Sequence, residues 1–323
     1  MVAWAIVLWS LVLILVAALT YGAVIGARDL RLDRLSVHLP GLPPDLAGLR
    51  VVHLSDTHFM PSGFMRLVYE KMVAACAEAS PDLILLTGDL AAGSENLPIA
   101  VQWFSRITAP LGIFAVLGNH DLDVTMERWL LDLDTGGDPD ALREPLAAAG
   151  VTLLHNEWRI LDVRGRRLLI VGIGDASCGL DDLVEALDGA PSDVDLTIFL
   201  SHSPDIFDRP GLERADLVLC GHTHAGQMML PGIGPLWAPV WRGRRRGAGL
   251  LSLGEVVAHV SRGVGATWPA RLGAPPQVAL LDLQPGQPDG LPVWPVLTRR
   301  PLGDEAPTPS PAAAPATEGD HVS

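Results

Sequence analysis

The sequence predicts a layered α/β fold preceded by one membrane-spanning helix, and three observations carry that reading. Short continuous apolar runs alternate with stretches of helical spacing, five such runs end abruptly in polar residues, and one uncharged apolar stretch precedes them all. Apolar residues make up 49% of the 323 positions and charged residues 19%, which supplies a sizeable core and excludes a globally disordered chain. The net charge of -14, from 23 Lys+Arg against 37 Asp+Glu, argues against a nucleic-acid partner, which requires a basic face. Three cysteines (Cys76, Cys178 and Cys220), with no C-x-x-C, exclude a disulfide framework and a thiolate zinc site.

From Met1 to Ala27 there is no charged side chain. As a helix, Ala3 to Ile25 is long enough to cross the ~30 Å hydrocarbon layer. A cleaved signal peptide wants a basic start and a small-x-small site; no Lys or Arg precedes Arg28. We therefore expect a single-pass anchor over residues 1–27. Arg28, Arg31 and Arg34 follow it, so the positive-inside rule puts the rest of the chain on the cytoplasmic side. Residues 28–48, with Pro40, Pro43 and Pro44, read as a linker, 49–285 as the folded domain, and 286–323 as a Pro/Ala-rich disordered tail.

Inside the domain, 51–55 runs into Asp56-Thr57-His58, and 83–86 into Thr87-Gly88-Asp89. Further on, 113–117 runs into Gly118-Asn119-His120-Asp121, 196–200 into Ser201-His202, and 217–220 into Gly221-His222-Thr223-His224. Continuous apolar runs are strands buried on both faces, and polar residues cluster where such strands end at their carboxyl edge. Glycines 88, 118 and 221 are expected to let the backbone turn sharply there. Met65, Val68, Met72, Val73 and Cys76 predict one helix, ending near Ser80-Pro81; Leu97, Val101, Phe104 and Ile107 predict another. Asp138-Pro139 resembles an N-cap with Pro at the first helical position, so Leu142, Leu146 and Ala149 predict a third. The β-rich stretches 151–173 and 249–283 predict a second sheet.

Asp56, His58, Asp89, Asn119, His202, His222 and His224 form a set of oxygen and imidazole donors without a thiolate. One ion rarely uses so many ligands; two divalent ions sharing a carboxylate do, with Asp89 as the natural bridge. Such a pair holds a hydroxide between the ions and clamps both the attacking and the leaving oxygen of a phosphoryl group. A single His or Asp at a strand end is ordinarily structural, but five blocks in order are not. His38, His53, His155, His259 and His321 lack this context, and His53, inside a strand, reads as a satisfied core or boundary group. His120, beside Asn119, has the chemistry of a general acid, and Asp121 that of a carboxylate orienting it.

These blocks resemble the signature of the calcineurin-like metallophosphoesterase superfamily. That resemblance covers about residues 49–285 and implies a four-layer α/β/β/α sandwich of two mixed sheets. It also implies one ion on Asp56, His58, Asp89 and His224, a second on Asp89, Asn119, His202 and His222, and His120 as catalytic histidine. G-H-T-H-A-G-Q at 221–227, L-P-G-I-G-P at 230–235, S-R-G-V-G at 261–265 and R-L-G-A-P-P at 271–276 resemble the membrane-anchored bacterial branch. Ala225 replaces that branch's usual glycine; with φ below zero it costs little and only stiffens the turn. The implied activity is hydrolysis of a phosphodiester or pyrophosphate bond, with UDP-2,3-diacylglucosamine pyrophosphohydrolase of lipid A synthesis as the alternative. The ions are two of Mn, Zn or Fe, and the substrate is a phosphoester, on the alternative reading a lipid-linked one. Arg242, Arg244 and Arg245, in a loop with Trp237, Trp241 and Arg246, are substrate-binding candidates, and 267–269 a candidate part of the same rim. A catalytically silent scaffold would show decayed ligand positions, and every position is filled.

Overall fold

The computed structural model describes residues 2–124, 137–230, 234–235, 247–266 and 270–292. The chain runs through α1 (Val2–Val24), β1 (Arg31–Leu39), β2 (Leu49–Leu54), α2 (Gly63–Ala79), β3 (Leu83–Thr87), α3 (Leu97–Phe104) and β4 (Ile113–Val116). It continues through α4 (Arg143–Ala148), β5 (Val151–Leu153), β6 (Glu157–Val163), β7 (Arg166–Gly172), α5 (Leu183–Ala186), β8 (Leu196–Leu200) and β9 (Leu217–Cys220). The last elements are β10 (Met229–Leu230), β11 (Gly234–Pro235), β12 (Gly249–Leu253), β13 (Val256–Val260) and β14 (Gln277–Pro285).

Local chemistry explains the helix ends. Ser62 Oγ accepts the Met65 N–H at 3.3 Å and starts α2, and Ser80, at φ 44°, stops it before Pro81. Met65, Val68, Met72 and Cys76 are buried as the spacing predicts. Asp138 Oδ1 accepts the Asp140 N–H at 2.9 Å and opens a single 3-10 turn before α4, whose Leu146 is buried.

Two mixed sheets of six strands result, in the orders β1-β14-β2-β3-β4-β5 and β12-β13-β9-β8-β7-β6. Their facing sides form one core, with Val51, Leu85 and Val116 meeting Leu168, Ile198 and Leu219. A second core lies between the first sheet and α2–α4, around Val68, Met72, Phe104 and Leu146. A third lies outside the second sheet, where Leu183 and Ala186 of α5 join Phe207 and Phe199. This is the expected four-layer arrangement. Between the sheets, His53 contacts His259 Nδ1 at 2.8 Å and Thr87 Oγ1 at 2.8 Å, which makes it the satisfied core group expected.

The strand assignments need two corrections. Residues 28–48 are not a free linker, because β1 pairs in parallel with β14 from Arg31↔Gln277 to Leu39↔Pro285. Both β5 and β14 belong to the first sheet, so the stretches 151–173 and 249–283 are shared between the two. The end of α1 is also held by the domain: Arg271 N–H donates to the Gly22 carbonyl at 3.0 Å, and a Cβ on Gly26 would stand 1.9 Å from the Arg271 oxygen. Below it, the Arg28 guanidinium lies 3.6 Å from the Phe64 ring centroid, and Lys71 donates to the Arg28 carbonyl at 2.8 Å. The tail from 293 onward lies outside the described residues.

Candidate metal centre

Strands β2, β3 and β4 of the first sheet and β8 and β9 of the second deliver the predicted donors to one place. Asp56, His58 and His224 offer ligand atoms that lie within 4.8 Å of one another, and so do Asp89, His202 and His222. Asp89 Oδ2 stands between the groups, 3.5 Å from His58 Nε2 and 3.3 Å from His202 Nε2. His58 Nε2 is 3.1 Å from His224 Nε2, which lies 3.3 Å from Asp56 Oδ1. His222 Nδ1 is 3.1 Å from His202 Nε2. Asn119 donates from Nδ2 to the Val124 carbonyl at 3.0 Å and leaves its buried Oδ1 without a partner.

The backbone is strained at these positions. Asp56, His58, Asp89, His222 and His224 have φ between 42° and 66°, the left-handed region that costs a non-glycine residue about 1–2 kcal/mol. Such strain persists only where surrounding contacts over-determine it. The His222 N–H donates to Asp56 at 3.0 Å, and the His120 N–H to Asp89 Oδ1 at 2.9 Å. Of the three glycines expected to turn the chain, only Gly88 has positive φ, at 79°. Gly118 and Gly221 are required for space. A Cβ on Gly118 would stand 2.3 Å from Asp89 Oδ1, and one on Gly221 2.4 Å from Asp56 Oδ2. Ala225 sits at φ 53°, so the expectation of an unstrained alanine is corrected.

Burial and mutual charge set the electrostatics. Burial pushes the Asp56 carboxyl up to about 7, and pushes His58 down to about 3 and His222 to about 4. Burial also raises Asp89, but the imidazoles of His202, His120 and His58 outweigh it and hold that acid well below its ordinary value. His202 moves the opposite way: burial lowers it, and Asp89 carries it well above the ordinary imidazole value.

Two features lie off the expected plan. Asp121 does not serve the His120 ring as expected: its Oδ1 accepts the Ala91 N–H at 3.0 Å and its Oδ2 the Gly118 N–H at 2.9 Å. Both oxygens clamp the loop instead, while the His120 ring packs edge-on against His58 at 4.9 Å. The second is Arg271, which is 1% exposed and places Nη2 at 2.9 Å from His224 Nδ1. Nη1 donates to the carbonyls of Arg262 and Ala274 and Nη2 to that of Gly265, while the buried Nε–H has no partner. Burial pushes it down to about 9, which leaves it charged at neutral pH. The sequence places it in the R-L-G-A-P-P block, but nothing in the spacing ties it to His224. Arg242, Arg244 and Arg245 lie outside the described residues, as do 267–269.

The donor set fits divalent ions. Imidazole nitrogens 3.1 Å apart, an orphaned amide oxygen and carboxylates facing imidazoles crowd together the ligand atoms that divalent ions take. The calcineurin-like phosphoesterase signature matches residues 49–226, across all five blocks. The chain belongs to that family. It is accordingly a metal-dependent phosphoester hydrolase. It is 34% identical over 243 residues to phosphodiesterase YaeI of Escherichia coli, across 73% of this chain and 83% of that one. It is 28% identical to the metallophosphoesterase YkuE of Bacillus subtilis, over 75% of this chain and 82% of the relative. It is also 28% identical to the UDP-2,3-diacylglucosamine pyrophosphatase LpxG of Chlamydia trachomatis, over 78% and 88%.

Proposed function

We infer that the chain hydrolyses a phosphodiester or pyrophosphate bond at a centre of two divalent ions bridged by Asp89. The position of Asp89 Oδ2 between the imidazoles of His58 and His202 is the observation that carries this. One ion would be held by Asp56, His58 and His224 and the other by Asn119, His202 and His222, with Asp89 shared. Divalent ions supply Lewis acidity for the phosphoryl oxygens and lower the pKa of bound water. Mn, Zn and Fe all suit these ligands. His120, half-buried with its backbone N–H on Asp89, is the candidate for donating a proton to the leaving oxygen.

The 23-residue α1 is apolar all round and largely exposed, as at Leu13 (68%) and Leu15 (59%), a surface that lipid covers and water does not. It is about 35 Å long, enough for a single-pass anchor, and Arg28, Arg31 and Arg34 directly after it support a cytoplasmic domain. A lipid-linked pyrophosphate is the second reading, favoured by that helix and by the substrate in the LpxG relative's name. The test is a panel of phosphomonoester, phosphodiester and UDP-acylglucosamine given to the full chain in detergent with Mn, Zn or Fe. Chelator-sensitive hydrolysis of the diester or the UDP-sugar is expected. No hydrolysis of any substrate with any ion would overturn the reading in favour of a silent scaffold.

A further inference from the structure

The two halves of the centre differ in what stands behind their histidines. A metal-binding imidazole ordinarily donates its second ring N–H to an acceptor, which fixes the tautomer that leaves the other nitrogen free for the ion. His202 meets that rule, because its Nδ1 lies 2.7 Å from the Thr87 carbonyl and has to donate to it. The other half does not. His58 Nδ1 is buried without a partner, and His224 Nδ1 faces a guanidinium, which has donors only. Arg271 thus makes His224 Nδ1 an acceptor and puts the ring proton on Nε2, the nitrogen that faces Asp56 Oδ1 at 3.3 Å and His58.

We propose that Arg271 is a positioning residue that weakens the Asp56/His58/His224 half, so that this half fills second and only at higher ion concentration. The proposal rests on the two-ion reading above. An ion at Nε2 displaces the ring proton, which then belongs on Nδ1, where it collides with the N–H of Arg271. Loading and the Arg271–His224 contact therefore exclude each other, and the guanidinium charge opposes a dication beside it. Arg271 cannot simply withdraw. Its backbone N–H is fastened to Gly22, its carbonyl packs against Gly26, and its side chain is enclosed by the carbonyls of Gly265, Ala274 and Arg262.

The test is a Mn²⁺ titration of the metal-stripped full chain in detergent, with free Mn²⁺ read by electron paramagnetic resonance. The wild type should take two ions in separate steps. In Arg271→Met, a replacement of similar length without charge, the weaker step should tighten on the order of 10- to 100-fold while the stronger holds. A folded variant whose weaker step is unchanged or weaker still overturns the proposal. A second measurement needs no change at Arg271: imidazole ¹⁵N spectra of the wild type, with the His224 signals assigned by their loss in His224→Gln. The metal-free protein should carry the His224 proton on Nε2, and the Zn²⁺-saturated protein on Nδ1. A proton on Nδ1 in the metal-free protein overturns the proposal by itself. A wild type that never takes a second ion overturns the two-ion reading instead, and this proposal with it.

Discussion

Set side by side, the Asp56/His58/His224 half and the Asp89/His202/His222 half use the same donor chemistry and the same strained turns after buried strands. They part company one layer further out. Behind His202 stands the Thr87 carbonyl, an acceptor supplied by the end of β3; behind His224 stands Arg271, a donor supplied by the segment before β14. Residue types at strand ends fix which atoms meet an ion, and chain segments far away in sequence fix how willingly they do so.

The largest expected effect falls on the group that joins the halves. Asp89→Asn removes the shared charge and should reduce turnover by more than the ~10- to 100-fold that losing an outer hydrogen bond costs a metal site. Ion content should fall below two per chain. Near-normal turnover with two tightly held ions would show that Asp89 does not bridge.

A paired substitution separates the halves. In Gly118→Ala the new Cβ would meet Asp89 Oδ1 at 2.3 Å and His202 Nε2 at 2.8 Å, which displaces the shared carboxylate together with the His202 half. In Gly221→Ala it would meet Ser55 Oγ at 1.7 Å and Asp56 Oδ2 at 2.4 Å, which displaces the other. Mn²⁺ titration should show both steps weakened in the first variant and only the weaker step lost in the second. Identical titrations for the two variants would break the comparison.

His120 belongs to neither half on this account. His120→Asn should keep two ions and lower kcat by roughly 10²-fold or more, as loss of a general acid does. The defect should shrink for p-nitrophenyl esters, whose leaving group needs no proton. An equal loss for good and poor leaving groups would exclude proton donation, and loss of an ion would make His120 a ligand.

The smallest effect concerns Ala225, next to His224 at φ 53°. Ala225→Gly relieves left-handed strain at the cost of a looser unfolded chain, for a net gain of about 1 kcal/mol. Thermal denaturation should show a higher Tm with ion content unchanged, and a lower Tm would mean that the methyl group's packing outweighs its strain.

Much of this site was legible in the chain because metal chemistry admits few residue types, and because each donor follows a run too apolar to be anything but a buried strand. His58 and His224 are 166 residues apart, yet both are marked by the same local pattern. What stayed hidden depends on packing rather than pattern. The β1 strand borders the first sheet with half its side chains outward and prolines after it, so it imitates a linker. Arg271 reads as one more surface arginine until the fold buries it against His224. The carboxylate of Asp121 sits beside the catalytic candidate in sequence, but its oxygens are taken by the N–H groups of Ala91 and Gly118. Adjacency along the chain says little about which way a side chain leaves a tight turn.

Anomalous diffraction from crystals of the full chain soaked in Mn²⁺ tests the two-ion centre most directly. Two peaks about 3.5–4 Å apart are expected, with the Asp89 carboxylate between them and one peak on each trio of ligands. A single peak at saturating Mn²⁺, or two peaks with Asp89 on only one of them, would contradict it.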